Sequence, residues 1–350
     1  MATLTEISYY GRKGVKWGII GIIVITAAPF IYRGGLALYR RINPPPPPPP
    51  TVRYGKLPAL TFPRNPGDAS PSPVLRLETI SGALPKLSDV GNVYLVGINK
   101  SRLLELERMK ARARSLGFTN DPIKESDHIY RFGHPTLPAR LTVNLISGGF
   151  VYNLDYLNDK VQFESVTLPT IEEAGRLAKN FFSTLGALPD DLAQGVVKAE
   201  YLIATYSGEM KQAPSYSEAN FVRVDIFRAN RDKVKFVTPG GETSPVNILF
   251  SGIGERNKGT VAANYQYSMI VANDAATYPL KTSDQAWSEL TQGLGYMPKY
   301  FSTATVRNAY LAYYESDGPQ DFIQPVIVFE GDGGFLGYVQ AVDLKYINIP

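Results

Sequence analysis

The chain has 350 residues, no cysteine and two histidines, and 36 Lys and Arg stand against 32 Asp and Glu. Residues 1–43 hold six of the basic side chains and one acid, so the other 307 residues are nearly neutral, with 30 basic and 31 acidic. The absence of cysteine excludes disulfides, thiolate metal sites and cysteine nucleophiles. A nearly neutral globular region argues against broad nucleic-acid binding, which needs clustered Lys and Arg.

An apolar segment near the N-terminus predicts a membrane anchor at residues 17–39, after a short basic tail at residues 1–16. Its 22 residues from Trp17 to Leu38 carry one charge. At ~1.5 Å per residue they reach about 33 Å, enough for a hydrocarbon core of roughly 30 Å. The residues singled out for contact with the bilayer are Trp17, Ile22, Pro29, Tyr32 and Leu38. A cleaved signal peptide is the alternative interpretation.

The orientation of this anchor follows only weakly from charge. Basic residues lie on both sides of the span, so counting them under the positive-inside rule favours neither orientation. A short basic tail followed by one apolar run resembles a signal anchor. We therefore expect a single-pass protein of the cell membrane, with its N-terminus inside and its main domain outside the cytoplasm.

A proline-rich spacer is predicted at residues 40–73. Seven consecutive prolines run from Pro44 to Pro50, and as a polyproline II helix at ~3.1 Å per residue they form a stiff stalk of about 22 Å. The segment Thr51–Pro73 reads as a loosely structured continuation. The alternative function is a ligand for a proline-recognising domain.

Three α+β units are predicted after the spacer, at residues 74–160, 161–277 and 278–350. A helix is expected at Ser101–Leu116, with apolar residues on one face and a glycine after it. Two further helices begin at capping boxes, in which a threonine and the residue three positions later satisfy each other's backbone N–H groups. These pairs are Thr170 with Glu173 and Thr282 with Gln285.

Strands rich in Tyr and Val are expected to follow each helix. Their predicted ranges are His128–Phe132, Ala139–Ser147, Phe150–Asp155, Val196–Tyr206, Asn220–Arg228, Val246–Ser251, Thr260–Ala272, Thr303–Glu315, Phe322–Glu330 and Phe335–Lys345. The sequences VKAEYLIATY and VRNAYLAYY follow the second and third helices, so the third unit is predicted to repeat the second. The expected fold is α+β, with each helix packed on one face of an antiparallel sheet.

Helix–strand–strand units of this size resemble PepSY-type domains. The segments YPLKTSDQAWSEL, AYLAYYE, FIQPVIVFEG and GYVQAVD between Tyr278 and Val342 are similar to membrane-anchored regulators of a bacterial cell-wall sensor kinase, the YycI/YycH type. The resemblance covers roughly residues 160–345. It implies an outer domain of tandem α+β units behind one N-terminal span, with no catalytic residues.

Motifs for catalysis are absent from the sequence. It contains no GxxxxGK[ST] phosphate loop, no HExxH and no GxSxG. The glycines at 252, 254 and 259 resemble a dinucleotide loop, but a strand follows them, which favours a turn. His128 and His134 have only Asp127 as an adjacent acid, so strand-edge histidines are favoured over a metal pair or a general base.

The loop Glu315–Asp321 and the strand before it supply the candidate partner-binding residues. The acids of the loop are read either as calcium ligands or as a solvated turn. Tyr313 and Tyr314 alternate across a strand, so one is expected to point inward and the other outward, where an exposed ring can anchor a partner. The candidates are Tyr313, Tyr314, Asp317 and Asp321. The basic run Lys110–Arg114 is read as a solvated helix face.

These features favour a non-enzymatic membrane protein whose outer domain binds a membrane or envelope protein and modulates signalling or assembly. No cofactor, metal site or nucleic-acid partner is expected, and the lipid bilayer is contacted through residues 17–39. The first alternative is a surface module that binds a peptide, glycan or wall polymer. The second is a hydrolase with an unrecognised site. The oligomeric state stays open.

Overall fold

The protein is known from a computed structural model that describes residues 4–42, 49–66, 73–97, 102–155, 167–204, 209–252 and 259–348. The chain divides into two units, Met1–Pro49 and Pro50–Pro350. Of the seven consecutive prolines in the predicted stalk, those at 44–48 lie outside the described residues.

The first unit is one long helix, α1, at Leu4–Ile42. Within it, Gly11–Leu36 has a mean hydropathy of 1.9, none of it is buried, and its length and composition suffice to cross a membrane. The predicted anchor residues lie on this helix, and the helix continues through Pro29. Trp17, Ile22, Tyr32 and Leu38 all have exposed side chains, as a bilayer-facing surface requires.

The second unit contains four α-helices among its described residues. They are α2 at Arg102–Ser115, α3 at Ile171–Thr184, α4 at Asp190–Ala193 and α5 at Ser283–Thr291. Its strands are β1 Leu57–Pro58, β2 Val74–Leu77, β3 Val90–Val96, β4 Ile123–Lys124, β5 Ile129–Gly133, β6 Ala139–Asn144, β7 Phe150–Leu154, β8 Val197–Ala204, β9 Met210–Gln212, β10 Phe221–Ile226, β11 Lys235–Val237, β12 Val246–Ser251, β13 Thr260–Tyr265, β14 Ile270–Pro279, β15 Thr303–Tyr314, β16 Phe322–Gly331, β17 Phe335–Gln340 and β18 Ile347–Asn348.

Nine of these strands form one antiparallel sheet, the first sheet, in the order β4-β5-β6-β7-β13-β12-β10-β8-β9. Helices α2 and α3 pack on one of its faces through Met109, Ala113, Ala178 and Phe182. Residues that point to the other face are mostly polar, as in an antiparallel sheet with one solvated side.

The capping box that begins α3 is confirmed. The Thr170 side chain accepts from the Glu173 backbone N–H, and the Glu173 carboxylate accepts from the Thr170 backbone N–H. The apolar side chains of α3 are buried only in part. Ala174 is buried, but Ile171 and Leu177 are exposed, because the buried face of the helix runs instead through Ala178 and Phe182. The capping box of Thr282 and Gln285 at the start of α5 is also confirmed.

The second sheet has β15 and β16 at its centre, in the order β11-β15-β16-β3-β14, with β17 also paired to β16 and β2 to β15. Strands β2 and β11 run parallel to β15. Helix α5 covers one face of this sheet through Ala286 and Leu290. Phe62 and Tyr296 pack on the other face, so both faces of β15 are covered.

The three predicted units do not correspond to the sheets. Strands of the predicted first and second units form one continuous sheet, where β7 pairs with β13. Strand β3 of the first unit and β11 of the second join the sheet that contains β15. The predicted strand Thr260–Ala272 is divided between β13 and β14, which belong to different sheets. The predicted mixed α+β class is confirmed, but the predicted repeat of helix-on-sheet units is not.

Residues 50–66 of the predicted spacer pack against the second sheet. The prediction of a loosely structured segment is therefore wrong for this part of the chain. Leu57 is fully buried, and β1 pairs in parallel with β18. Phe62 stacks on Tyr296 with ring centroids 5.6 Å apart, and the Asn65 side chain accepts from the Met297 N–H at 2.8 Å. Apolar and aromatic side chains interspersed among the prolines supply enough buried area to hold this segment in place.

Candidate functional site

A buried arginine joins the two sheets. Arg228 follows β10, and its guanidinium donates to Asp191 at 2.9 Å and to Glu315 at 3.0 Å. It also donates to the Ser268 carbonyl at 2.8 Å. Glu315 follows β15, so the Arg228–Glu315 pair bridges strands of different sheets. The two side chains are 3% and 4% exposed.

Aromatic rings and a backbone amide complete the surroundings of this pair. The Arg228 guanidinium carbon lies 4.4 Å from the Tyr267 ring centroid and 4.6 Å from that of Phe236. Cation–π contacts of this kind strengthen when water is excluded. The Glu315 carboxylate also accepts from the Ser268 N–H at 3.0 Å. Burial raises the pKa of Glu315, opposed by the attraction of Arg228.

Beside this pair lies a cleft of about 740 Å³, which we term the acidic cleft. One wall is the polar face of the first sheet and includes Thr142, Val151 and Asn264. The other wall contains the loop 317–321 of the second sheet. Hydrogen bonds hold that loop, because the Ser316 N–H donates to the Gln320 side chain at 2.9 Å.

The acidic cleft carries negative charge only. Asp317 and Asp321 line it, and the described residues that line it include no Lys, Arg or His. Partial desolvation raises the pKa of Asp317, although the residue as a whole stays exposed. Val151 and Met269 add apolar surface, at 40% and 48% exposed. Two of the predicted partner-binding residues, Asp317 and Asp321, therefore lie together at one cavity.

A second cavity of about 510 Å³, the arginine pocket, lies on the helical side of the first sheet. Arg108 and Arg112 of α2 line it together with Glu105. Arg112 is 35% exposed in its side chain, so the basic run Lys110–Arg114 is not wholly a solvated face. Helix α2 turns Arg112 inward because it lies next to the buried Ala113 and one turn after Met109.

The acidic cleft and the arginine pocket are adjacent. Seven residues line both, namely Gly97, Ile146, Ser147, Phe150, Tyr265, Tyr267 and Met269. The two cavities thus share a boundary formed by the β6–β7 turn and the connection from β13 to β14. An extended ligand that crosses this boundary meets negative charge on one side and arginines on the other.

Tyr313 and Tyr314 do not form an exposed surface. They are 3% and 0% exposed, so the prediction that one of them points outward is wrong. Tyr313 packs against Tyr94 with centroids 5.3 Å apart, while Tyr314 packs against Phe62 on the opposite face at 4.9 Å. Both faces of β15 are covered, because segments distant in sequence lie over them.

His128 and His134 flank β5 in the described part of the chain. His134 accepts at Nδ1 from the Leu137 N–H at 3.0 Å, and its ring makes an edge contact with Phe118. Its Nε2 is buried without a hydrogen-bond partner, as is Nδ1 of His128. Burial lowers the pKa of His134.

The described residues contain no group of three or more His, Asp or Glu side chains placed to hold a metal ion. Glu315, the first acid of the predicted calcium loop, is paired with Arg228 and does not lie with Asp317 and Asp321 in the cleft. The predicted glycine loop at 252–259 lies mostly outside the described residues.

Sequence reasoning missed Arg228, Asp191 and Tyr265. Arg228 lies two residues after β10, which already contains the charged Arg223 and Asp225, so its own charge did not stand out in the sequence. Its partner Asp191 lies 37 residues earlier in the chain, and no local pattern links the two. Tyr265 ends a strand of ordinary composition and carries no signal of its own.

Comparisons with known proteins assign no family. No protein-family model matches the chain, and no curated protein matches it. Among solved structures, an uncharacterized protein from Eubacterium rectale ATCC 33656 is similar at 13% sequence identity and a TM-score of 0.41. The alignment covers 75% of this chain and 86% of that one. A likeness at this level assigns no function.

Proposed function

We propose that the chain is a non-enzymatic, membrane-anchored binding module whose acidic cleft holds a segment of a membrane or cell-envelope protein. The observation that carries the proposal is the cleft itself, which combines about 740 Å³ with two aspartates and no described basic side chain. A partner segment with a Lys or Arg beside apolar residues complements this lining.

The anchor supports this role. Helix α1 includes a stretch long and apolar enough to span a bilayer, and a tethered module meets membrane partners at high effective concentration. The proposal places the folded unit outside the cytoplasm and gives it a regulatory effect on envelope signalling or assembly, as in the regulators that the sequence resembles.

Site-specific photo-cross-linking in cells that produce the full chain tests the binding role. Val151→benzoylphenylalanine places the reactive group in the cleft, and Leu344→benzoylphenylalanine is a matched control because Leu344 is exposed but does not line it. We expect an adduct from position 151 only. Its cross-linked peptide, identified by mass spectrometry, is expected to carry a Lys or Arg next to apolar residues.

The charge of the cleft is tested in the same cells. The double variant Asp317→Asn, Asp321→Asn is expected to reduce the adduct about tenfold, because a desolvated ion pair to the partner is lost. Identical adducts from positions 151 and 344, or an adduct that is insensitive to the double variant, contradict the proposal.

A further inference from the structure

The arginine pocket contains a hydrogen-bond donor without a partner. Tyr265 is 9% exposed and lines the cavity. Its ring is fixed by Phe150 and Phe182, at centroid distances of 5.2 and 5.9 Å, and no described residue hydrogen-bonds to its hydroxyl. The neighbouring Tyr267 differs, because its hydroxyl donates to Asp191 at 2.9 Å. The Tyr265 hydroxyl reaches the solvent of the cavity, in contrast to the buried, unpaired hydroxyls of Tyr314 and Tyr338, so water or a ligand can accept its hydrogen bond.

The pocket also contains positive charge that its own residues do not balance. Arg108 and Arg112 lie one turn apart on α2 and share a single carboxylate, that of Glu105, at 3.4 and 3.7 Å. These three are the charged side chains among the described lining residues. One positive charge is therefore available to a ligand.

The end of α3 leaves room for the Arg112 guanidinium. Its Nη2 would lie 2.8 Å from a Cβ atom placed on Gly186, which has a positive φ of 62° at the end of α3. Glycine suits this φ and also leaves the guanidinium room in its present position. Arg112 donates to the Met109 sulfur at 3.7 Å. Sulfur is a weak acceptor, so most N–H donors of the Arg112 guanidinium stay available to a ligand.

We infer that the arginine pocket binds a carboxylate, with Arg112 and Arg108 pairing with its charge and the Tyr265 hydroxyl donating to one of its oxygens. Arg fits a carboxylate through two parallel N–H groups. The apolar neighbours Met109 and Leu185 suit a group attached to a hydrocarbon chain or to a peptide. A single net positive charge matches a singly charged ligand better than a phosphate dianion.

This inference extends the proposed function, on which it rests for the source of the ligand. Because the two cavities share seven lining residues, one extended segment reaches both of them. Its basic side chain lies in the acidic cleft, and its acidic side chain or C-terminal carboxylate lies in the arginine pocket. The two charges together fix the direction of the bound segment.

The test uses 4-fluorobenzoate as the probe, with the full chain in lipid nanodiscs and binding followed by ¹⁹F NMR line width. The neutral 4-fluorobenzamide is the control ligand. Arg112→Gln is the test variant, and Arg114→Gln is its matched control, because Arg114 lies on the same helix but does not line the pocket. Tyr265→Phe removes only the hydroxyl. Thermal melting of each variant verifies that it folds.

We expect the benzoate to bind and the benzamide not to bind. Arg112→Gln weakens benzoate binding about tenfold and Tyr265→Phe about threefold to fivefold, since a charge-assisted bond is worth more than a neutral one. Arg114→Gln leaves binding unchanged. Equal binding of benzoate and benzamide, equal effects of the two arginine variants, or tighter binding of inorganic phosphate than of benzoate overturns the inference.

The experiments distinguish failure of the proposed partner binding from failure of the carboxylate site. Benzoate has no cationic group, so the Asp317→Asn, Asp321→Asn variant is expected to bind it as the natural chain does. If no cross-linked adduct forms but benzoate still binds, the proposed partner is contradicted and the carboxylate site is not. Absence of benzoate binding with a charge-sensitive adduct removes the carboxylate site alone.

Discussion

Arg228 donates a hydrogen bond to the carboxylate of Glu315 at a distance of 3.0 Å, and this buried pair joins the ends of two strands that belong to different sheets. Glu315 lies two residues before Asp317, so the pair also sets where the acidic loop begins. The connection between the sheets and the geometry of the acidic cleft thus depend on the same side chains.

Removal of Glu315 is expected to lower the stability of the folded unit strongly. Glu315→Ala leaves the buried Arg228 charge with Asp191 as its remaining carboxylate partner, and the free energy of unfolding should fall by roughly 1.5 to 3 kcal/mol, the range for a lost hydrogen bond to a charged group. Urea denaturation of the full chain in micelles measures it. The exposed pair of Arg307 and Asp332 provides the control, and Asp332→Ala is expected to change stability little. Similar losses in both variants would contradict a special role for the buried pair.

His134 is expected to make the folded unit less stable in mild acid. Burial lowers its pKa below the ordinary value of 6.5, so below that pH the unfolded chain binds the proton more readily than the folded chain. Stability is therefore retained above pH 6.5 and lost as the pH falls through 6.5 toward the folded-state pKa.

The measurement is the urea midpoint at several pH values between about 7.5 and 5, a range that spans the ordinary histidine pKa. His134→Asn keeps an acceptor for the Leu137 N–H and removes the titrating group, so it should flatten the decline. A decline that persists unchanged in the His134→Asn variant would assign it to other groups.

Alanine substitutions at Gly117 and Gly293 distinguish the cost of backbone strain from the cost of steric contact. Each follows a helix and has a positive φ, of 90° and 80°. A Cβ on Gly117 would lie 2.6 Å from His134 Nε2, whereas one on Gly293 meets nothing within 4 Å. Gly293→Ala is expected to cost about 1 kcal/mol, and Gly117→Ala about 1 to 3 kcal/mol more. Equal losses in thermal or urea denaturation would mean that the His134 ring moves aside freely.

Local features of the chain were predictable from sequence and long-range ones were not. The capping boxes at Thr170 and Thr282 are set by residues three positions apart, so their pattern is visible in the chain. The alternation that places Tyr310, Ala312 and Tyr314 in one cluster is also local. Most of the predicted strand ranges agree with the structure to within three residues at each end.

Pairing between distant segments decided the rest. The burial of Tyr313 depends on Tyr94, 219 positions earlier in the chain, and that of Leu57 on Ile347. The proline-rich context of residues 50–66 indicated a spacer, but their apolar side chains are buried by strands far along the chain. The candidate site was predictable only in part. Asp317 and Asp321 stood out as a local acidic loop, while the walls opposite them come from another sheet.

The proposed binding role requires that α1 holds the Pro50–Pro350 unit at the outer face of a cell membrane, where a partner can reach its clefts. The chain has no cysteine, so a single introduced cysteine is a unique label site. Tyr216→Cys is suitable because Tyr216 is exposed. Intact cells, or spheroplasts where an outer layer blocks access, are treated with a membrane-impermeant maleimide. We expect labelling before lysis, at the level seen after it. Labelling only after lysis would place the unit in the cytoplasm and contradict the proposed role.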